Sequence, residues 1–300
     1  MIKEKEYCRE TADVICLGQA VIDCVTRNRV VNPERPGSST ADSIILRAGG
    51  DAVNESIALA GMGRCVLPVF AVGEDTAGEL LLRSLEEKGI DTSRVVRMGP
   101  SFETPVANIF VEEDGSRSSV SSKAVMLPGF RPSAELIGGG RIVSFCSLFR
   151  APLDDPELLA KLVYAAKAQG SVVCADTKLP LHKKYSLEEF REALAGIDYI
   201  FPNESEASFY SGRRDYEKMA DVFLSYGVGS VVIKAGREGC FAKNADGFWH
   251  IPALPVRAVD TTGAGDYFAA GFISALLDGS SFRECCEAGA ASAAGRISGS

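Results

Sequence analysis

The chain has 300 residues, 46% of them hydrophobic, enough to bury a large core and too many for a disordered chain. Thirty-two Lys and Arg against 40 Asp and Glu give a net charge of −8 with no basic run, which argues against nucleic acid and anionic membrane as partners. The N-terminus MIKEKEYCRETAD lacks an apolar signal core, and the longest apolar stretches, 49–60 and 264–277, fall short of the ~20 residues a bilayer needs, so a cytoplasmic protein is expected.

Apolar runs of strand length at 14–17, 66–71, 142–145, 172–175, 199–201 and 231–234 alternate with amphipathic helical windows, the pattern of βαβ units. The helices are well punctuated. Asp155 is placed as an N-cap, Pro156 at the first helical position, and Gly170 closes LLAKLVYAAKAQG. Right-handed crossovers then predict an α/β fold with a doubly wound, mostly parallel sheet.

Two stretches, 22–47 and 104–124, break that alternation, with strands around the turns NPERPGS and EEDGS and no helix between them. They predict a small separate sheet, which would serve as a lid over a cleft, as an edge extension or as a dimer surface. No repeat or long linker divides the chain, so residues 1–300 are expected to form one unit with the lid inserted.

Nine cysteines, Cys8, Cys16, Cys24, Cys65, Cys146, Cys174, Cys240, Cys285 and Cys286, include no Cys-x-x-Cys pair, and His182 and His250 stand apart. Structural zinc is not expected. Most of the thiols lie in apolar strands, where a reduced cysteine is a small hydrophobe.

The segment 258–272, AVDTTGAGDYFAAGF, runs from a strand end through Gly263, Ala264 and Gly265 into an apolar helix. Glycine lets backbone N–H groups converge at the helix start, whose unpaired donors and positive dipole end suit a phosphate. Asp266, in the first turn, has two readings. It stabilises the dipole by about 0.3–1 kcal/mol, or it takes a proton from a hydroxyl attacking the bound anion, which would justify a negative charge beside an anion nest. In AGGDAVNESIALAGMG (48–63), Gly49 and Gly50 permit close approach of a ligand, and the Asn54 amide faces the same mouth. Capping by Asp51 and small-residue packing explain that segment equally well. In FPNESEASFYSG (201–212), Asn203 and Glu206 either present an amide and a carboxylate to metal-bound water or form a capping box.

GGDAVNESIALAGMG and DTTGAGDYFAAGF together resemble the two signatures of the PfkB family of carbohydrate kinases, with its ribokinase-like, three-layer α/β/α fold. PNESE resembles the family's Asn-x-x-Glu motif and VVIKAGREG its nucleotide-side strand and turn, and the likeness runs from Val14 onward. The resemblance implies Asp266 as general base and the N–H groups of Gly263, Ala264 and Gly265 as an anion hole. It implies Asn203 and Glu206 organising Mg²⁺ through water, with Lys234, Gly236, Gly239 and Thr262 along ATP. Asp23, Gly49, Gly50 and Asn54 would hold the acceptor hydroxyls. Asp260 and the Thr262 carbonyl resemble half of the monovalent-cation (K⁺) site of some members. Asp51 stands where ribokinases usually carry Lys, Gln19 where many sugar kinases carry Glu, and GRISGS where many members continue into a loop covering adenine and completing the cation site.

The expected function is ATP-dependent transfer of the γ-phosphoryl group to a primary hydroxyl of a neutral sugar. Neutrality follows from Asp23 and Asp51 on the acceptor side, since carboxylates repel an anion, with Arg27, Arg117 or Lys178 left to reach in from elsewhere. A nucleoside kinase is the nearest rival, its base held by Ile109, Phe110 and Val111. A non-catalytic sensor conflicts with the intact Asp266, Gly263, Gly265, Asn203 and Glu206. A dinucleotide dehydrogenase is excluded because CLGQAVIDC, after the first strand, has no Gly-x-Gly-x-x-Gly. A homodimer through the lid is the expected assembly.

Overall fold

A computed structural model describes residues 11–31, 37–113, 116–181 and 183–299. Residues 32–36 and 114–115 of the two expected lid turns, together with Cys8 and His182, lie outside these.

The large sheet runs, from one edge, Gly247–Ile251, Cys240–Asn244, Ser230–Lys234, Tyr199–Phe201, Val172–Thr177, Gly140–Leu148, Ala12–Leu17 and Val66–Val69. Its last six strands are parallel, and they are the six read from the apolar runs. The first two form an antiparallel hairpin that the sequence reading did not place. Its residues Lys243, Asn244 and His250 dilute the apolar signal, because an edge hairpin is solvated where a parallel strand is covered on both faces.

Period-two alternation sorts the side chains. Ile15, Leu17, Phe145 and Val173 pack on one face with the helices Pro156–Ala168 and Tyr216–Ser225. Val14, Cys16, Cys146, Cys174 and Val232 pack on the other with the helices Asp51–Gly61 and Ala264–Leu277. Asp155 accepts from the Leu158 N–H ahead of Pro156, and Gly170 takes a φ of 79° beyond the helix end, as the sequence predicted.

A second, four-stranded sheet has the order Arg117–Ser121, Val106–Val111, Val21–Arg27, Ser43–Gly49. Its outer pairs are antiparallel and its central pair is parallel. This is the separate sheet expected from 22–47 and 104–124. Only Gly18–Ala20 separates the core strand Ala12–Leu17 from Val21–Arg27, so the small sheet hangs from the carboxyl ends of the core strands, where open α/β sheets bind ligands. Among the described residues, no helix is long and apolar enough to cross a membrane.

Glu55 is buried between the helix Asp51–Gly61 and the sheet, where its Oε1 accepts from Cys16 Sγ at 3.5 Å. Burial pushes its carboxyl up to about 7, against the lowering effect of Ser144. The folded state therefore keeps this proton at pH values where the unfolded chain releases it, and stability falls as pH rises through that window. Relative to the wild type, Glu55→Gln is expected to gain up to about 3 kcal/mol between pH 4.5 and 8, read from urea unfolding. A difference that stays constant across the range would show that Glu55 is ionised in the core.

Candidate active site

Two glycine turns face each other at the carboxyl edge of the sheet. Gly263, with a φ of 77°, caps the helix Ala264–Leu277 and puts Asp266 in its first turn. Gly50, with a φ of 92°, caps the helix Asp51–Gly61, with Asn54 one turn in. Packing of these two helices brings Asn54 Nδ2 to 2.7 Å from Asp266 Oδ2. Asn54, expected among the groups holding acceptor hydroxyls, is thus a donor to the expected base. Asp266 is buried, and burial followed by the charge of Asp51 pushes its carboxyl well above the usual range, against the pull of Lys178.

Lys178 and Lys234 neutralise this edge. Lys178 Nζ lies 3.0 Å from Asp51 Oδ1, and Ser147 Oγ donates to Asp51 Oδ2 at 2.6 Å. Burial would lower the Lys178 ammonium, but the carboxylates of Asp51, Asp266, Asp176 and Glu206 hold it well above its ordinary value. Lys234, at the end of its strand, donates to Asp176 Oδ2 at 2.6 Å. Its Nζ sits 3.2 Å from where a Cβ on Gly265 would be, which places Lys234 against the glycine turn.

Asn203 and Glu206 form the capping box. The Asn203 side chain accepts from the Glu206 N–H, and Glu206 Oε2 accepts from the Asn203 N–H and the Thr177 hydroxyl. Burial, then the charge of Asp176, raises the Glu206 carboxyl. Asp176 Oδ1 is buried without a hydrogen-bond partner. Gly236 and Gly239 make the tight turn after Lys234, with φ values of 55° and 92°. A Cβ on Gly239 would run into the Ile251 carbonyl, so this glycine is required by the hairpin itself.

On the small sheet, Asp23 is buried against Gly49, whose Cβ position lies 2.5 Å from Asp23 Oδ2. Asp260 departs most from expectation. Its Oδ1 accepts from the Thr262 N–H at 2.9 Å and the Thr262 hydroxyl at 2.6 Å. Its carboxylate also lies within 4 Å of four guanidiniums, those of Arg27, Arg47, Arg117 and Arg296. Burial alone would raise this carboxyl, but the Thr262 bonds and Arg47 bring it down to about 2. A carboxylate ringed by four cations is unsuited to bind another, so Asp260 does not fit the K⁺ site implied by the resemblance. The neutral-acceptor expectation also loses its premises, because Asp51 is held by Lys178, and Arg47, two residues before Gly49, faces Asp23 at 3.8 Å.

A cavity of about 310 Å³ opens beside these groups, lined by Asp23, Arg47, Asn54, Thr262, Tyr267 and Arg296 among others. A hollow of about 450 Å³ at the opposite ends of the strands has no carboxylate among its described lining residues. Phe110, offered for a nucleoside base, is covered by the Arg29 guanidinium at 5.0 Å. Gln19 finds a role, since its amide donates to the Val125 and Ala151 carbonyls at 2.9 and 3.1 Å, which a carboxylate cannot do. The sequence reading missed Asp176 and named Lys178 only as a cation reaching in from elsewhere. Their signal was the polar Asp-Thr-Lys ending of an otherwise apolar parallel strand.

The site thus joins a doubly wound sheet, a buried carboxylate behind a glycine turn and a small separate sheet. The chain belongs to the pfkB family of carbohydrate kinases, whose model matches residues 11–299. It is 30% identical over 280 residues to a ribokinase of Haemophilus influenzae, covering 87% of this chain and 84% of that one. It is 30% identical over 249 residues to an ATP-dependent ribose-1-phosphate kinase of Halopiger xanaduensis, covering 82% and 78%. The structure of Arabidopsis thaliana ribokinase complexed with ribose and ATP superimposes with a TM-score of 0.82 at 24% identity, over 96% of this chain and 93% of that one.

The glycine pair makes a graded test. Gly49→Ala meets a side-chain oxygen that can move, so a loss of about 1–3 kcal/mol is expected. Gly50→Ala meets the Gln19 carbonyl at 2.6 Å and the Ala20 Cα at 2.7 Å in a left-handed conformation, and is expected to cost more. Thermal unfolding that ranks the two variants the other way would refute this account of the turn.

Proposed function

We propose that this sugar kinase transfers the γ-phosphoryl group of ATP to a primary hydroxyl of a sugar bound in the cavity between Asp23 and Asp266. The observation that carries the reading is Asp266 itself, buried in the first turn of a glycine-capped helix, with Asn54 fixing one of its oxygens. The hydroxyl oxygen attacks the γ-phosphorus, its proton passes to Asp266, and the bond to the β-phosphate oxygen breaks to release ADP. Charge developing on the phosphoryl oxygens faces the N–H groups of Gly263, Ala264 and Gly265 at the helix start. Lys234 lies against this turn on the side assigned to ATP, with Gly236, Gly239 and Thr262. Asp23, Gly49, Gly50 and Asn54 bound the acceptor side.

Asp176 and Glu206 fit a hard cation held through water, because Asp176 Oδ1 is a buried carboxylate oxygen without a partner and Glu206 Oε2 is fixed by two donors. Asn203 holds Glu206 in that position. Mg²⁺ held there through water would supply positive charge to the phosphates of ATP. K⁺ has no part in the reading, for the reason given at Asp260. The small sheet acts as the lid of a single kinase unit, excluding water from ATP. Its exposed Ile44, Ile45 and Leu46 on one edge strand and Val120 on the other favour pairing between two lids. The relatives' names include a neutral and an anionic acceptor, so kinship leaves the acceptor's charge open.

Asp266→Asn is expected to lower kcat by about 10²–10⁴ with ATP binding retained. A variant keeping more than about a tenth of wild-type kcat would remove Asp266 from the role of base.

The charges around Asp266 set the acid limb of the pH–rate profile. Asp51→Asn removes a negative neighbour that raises the Asp266 carboxyl, so activity should persist to lower pH. Lys178→Met removes an opposing positive charge and should move the limb to higher pH. Shifts of the same sign in kcat/KM profiles would show that another group titrates.

A further inference from the structure

Arg27, Arg47 and Arg117 come from three strands of the small sheet and reach one point through register. Arg47 pairs with Asp23, Arg27 pairs with Val111, and Val111 pairs with Arg117. Paired residues share a face, and so do residues two and four apart along a strand, so Asp23, Arg27, Arg47 and Arg117 all point the same way. Arg296 joins them from the end of the helix Phe282–Ser298, whose Ile297 carbonyl accepts from the Val259 N–H at 2.9 Å beside Asp260. Its Nε lies 3.8 Å from the Cβ position of Gly263, so the cluster adjoins the proposed reaction centre.

These cations are undersupplied with acceptors. Asp260 Oδ1 is committed to Thr262, and only Arg47 approaches Asp260 Oδ2 at hydrogen-bond distance, 3.3 Å. Arg27, Arg117 and Arg296 stand off at 3.8, 3.9 and 3.8 Å. Arg47 Nη2 is buried with no partner, an orphaned charged donor that costs free energy unless a ligand satisfies it. Four guanidiniums face two carboxylates, Asp23 and Asp260, and of these groups Arg47, Arg296 and Asp23 line a cavity large enough for a sugar derivative. Guanidinium forks match the planar or tetrahedral oxygens of a carboxylate or phosphate.

Resting on the kinase reading of the same cavity, we propose that the acceptor is an anionic sugar, bearing a phosphate or a carboxylate away from the reacting hydroxyl, held by Arg27, Arg47, Arg117 and Arg296. Asp260 stays on Thr262 and the anion takes the donors it leaves unused. Three of the four arginines sit on the sheet that carries Asp23, whereas Lys234 serves the nucleotide side, so the cluster acts on the acceptor.

The test pairs each neutral sugar with a charged counterpart. ADP release is measured with D-fructose against fructose 1-phosphate and fructose 6-phosphate, D-ribose against ribose 1-phosphate, and 3-deoxy-D-fructose against 2-dehydro-3-deoxygluconate. The anionic member of at least one pair is expected to be preferred about 10- to 100-fold in kcat/KM, and the phosphate and carboxylate arms separate the two anions. Arg47→Gln and Arg117→Gln should each raise that acceptor's KM about tenfold or more with little change in the KM for ATP. Calorimetry on Asp266→Asn without ATP provides a second readout. It should detect the anionic sugar, weakening with added salt and lost in the Arg27→Gln, Arg117→Gln background, with circular dichroism confirming the fold. Preference for the neutral sugars, or arginine variants that raise the KM for ATP as much as for acceptor, would overturn the proposal and leave the kinase reading standing. If none of these sugars supports ADP release, the kinase reading falls, and the calorimetry still decides: absence of anionic-sugar binding overturns the proposal and salt-sensitive binding upholds it.

Discussion

Buried charge at the carboxyl edge of the sheet is the constraint on which the site depends. Asp51, Asp176, Glu206 and Asp266 are brought within electrostatic reach of one another. Carboxylates so placed are costly to desolvate unless cations stand among them. Lys178 and Lys234 fill that need from neighbouring strand ends, Lys178 on Asp51 and Lys234 on Asp176. Asp266 accepts from the side-chain amide of Asn54. Burial, then the charge of Asp51, keeps its proton affinity raised against that bond and the pull of Lys178, which suits a group proposed to accept a proton and release it again.

The glycines make that crowding geometrically possible. Gly49 leaves space for the Asp23 carboxylate, Gly50 for the backbone at Gln19 and Ala20, and Gly265 for the Lys234 ammonium. Each gives up a side chain so that a charged group or a main-chain segment can approach the cleft. The small sheet adds its own charges to this edge. Its register aligns three arginines beside Asp23, and the loop bearing Asp260 meets them from the core. The cleft thus has two electrostatic halves, one where lysines neutralise carboxylates near Asp266 and one where arginines outnumber carboxylates beside the small sheet.

Period and punctuation decided much of this in advance. Six parallel strands, the capped helix Pro156–Ala168, the separate small sheet and the two glycine-opened helices follow from short-range patterns: alternation, Pro and Gly placement, and the change from strand to helical period. Family membership was equally legible, because its two signatures are contiguous segments whose glycines and carboxylates must be adjacent in sequence to build a helix start. Each of these is a property of a few neighbouring residues, which local sterics and burial suffice to set.

Tertiary structure alone decided the partners. That Asn54 donates to Asp266, across a separation of 212 residues, depends on how two helices pack against one face of the sheet. That Asp260 is ringed by arginines depends on strand pairings across the small sheet and on the last helix turning back to the same point. Asp260 reads in sequence as a cation ligand and in the fold as an anion among guanidiniums, and Asp51 reads as a sugar-side charge until Lys178 reaches it. The physical reason is that charge acts over distances of a few ångströms whatever the separation along the chain. Sequence determined which side chains this protein has and which local turn carries each one, and the register and packing of distant elements determined which charges meet.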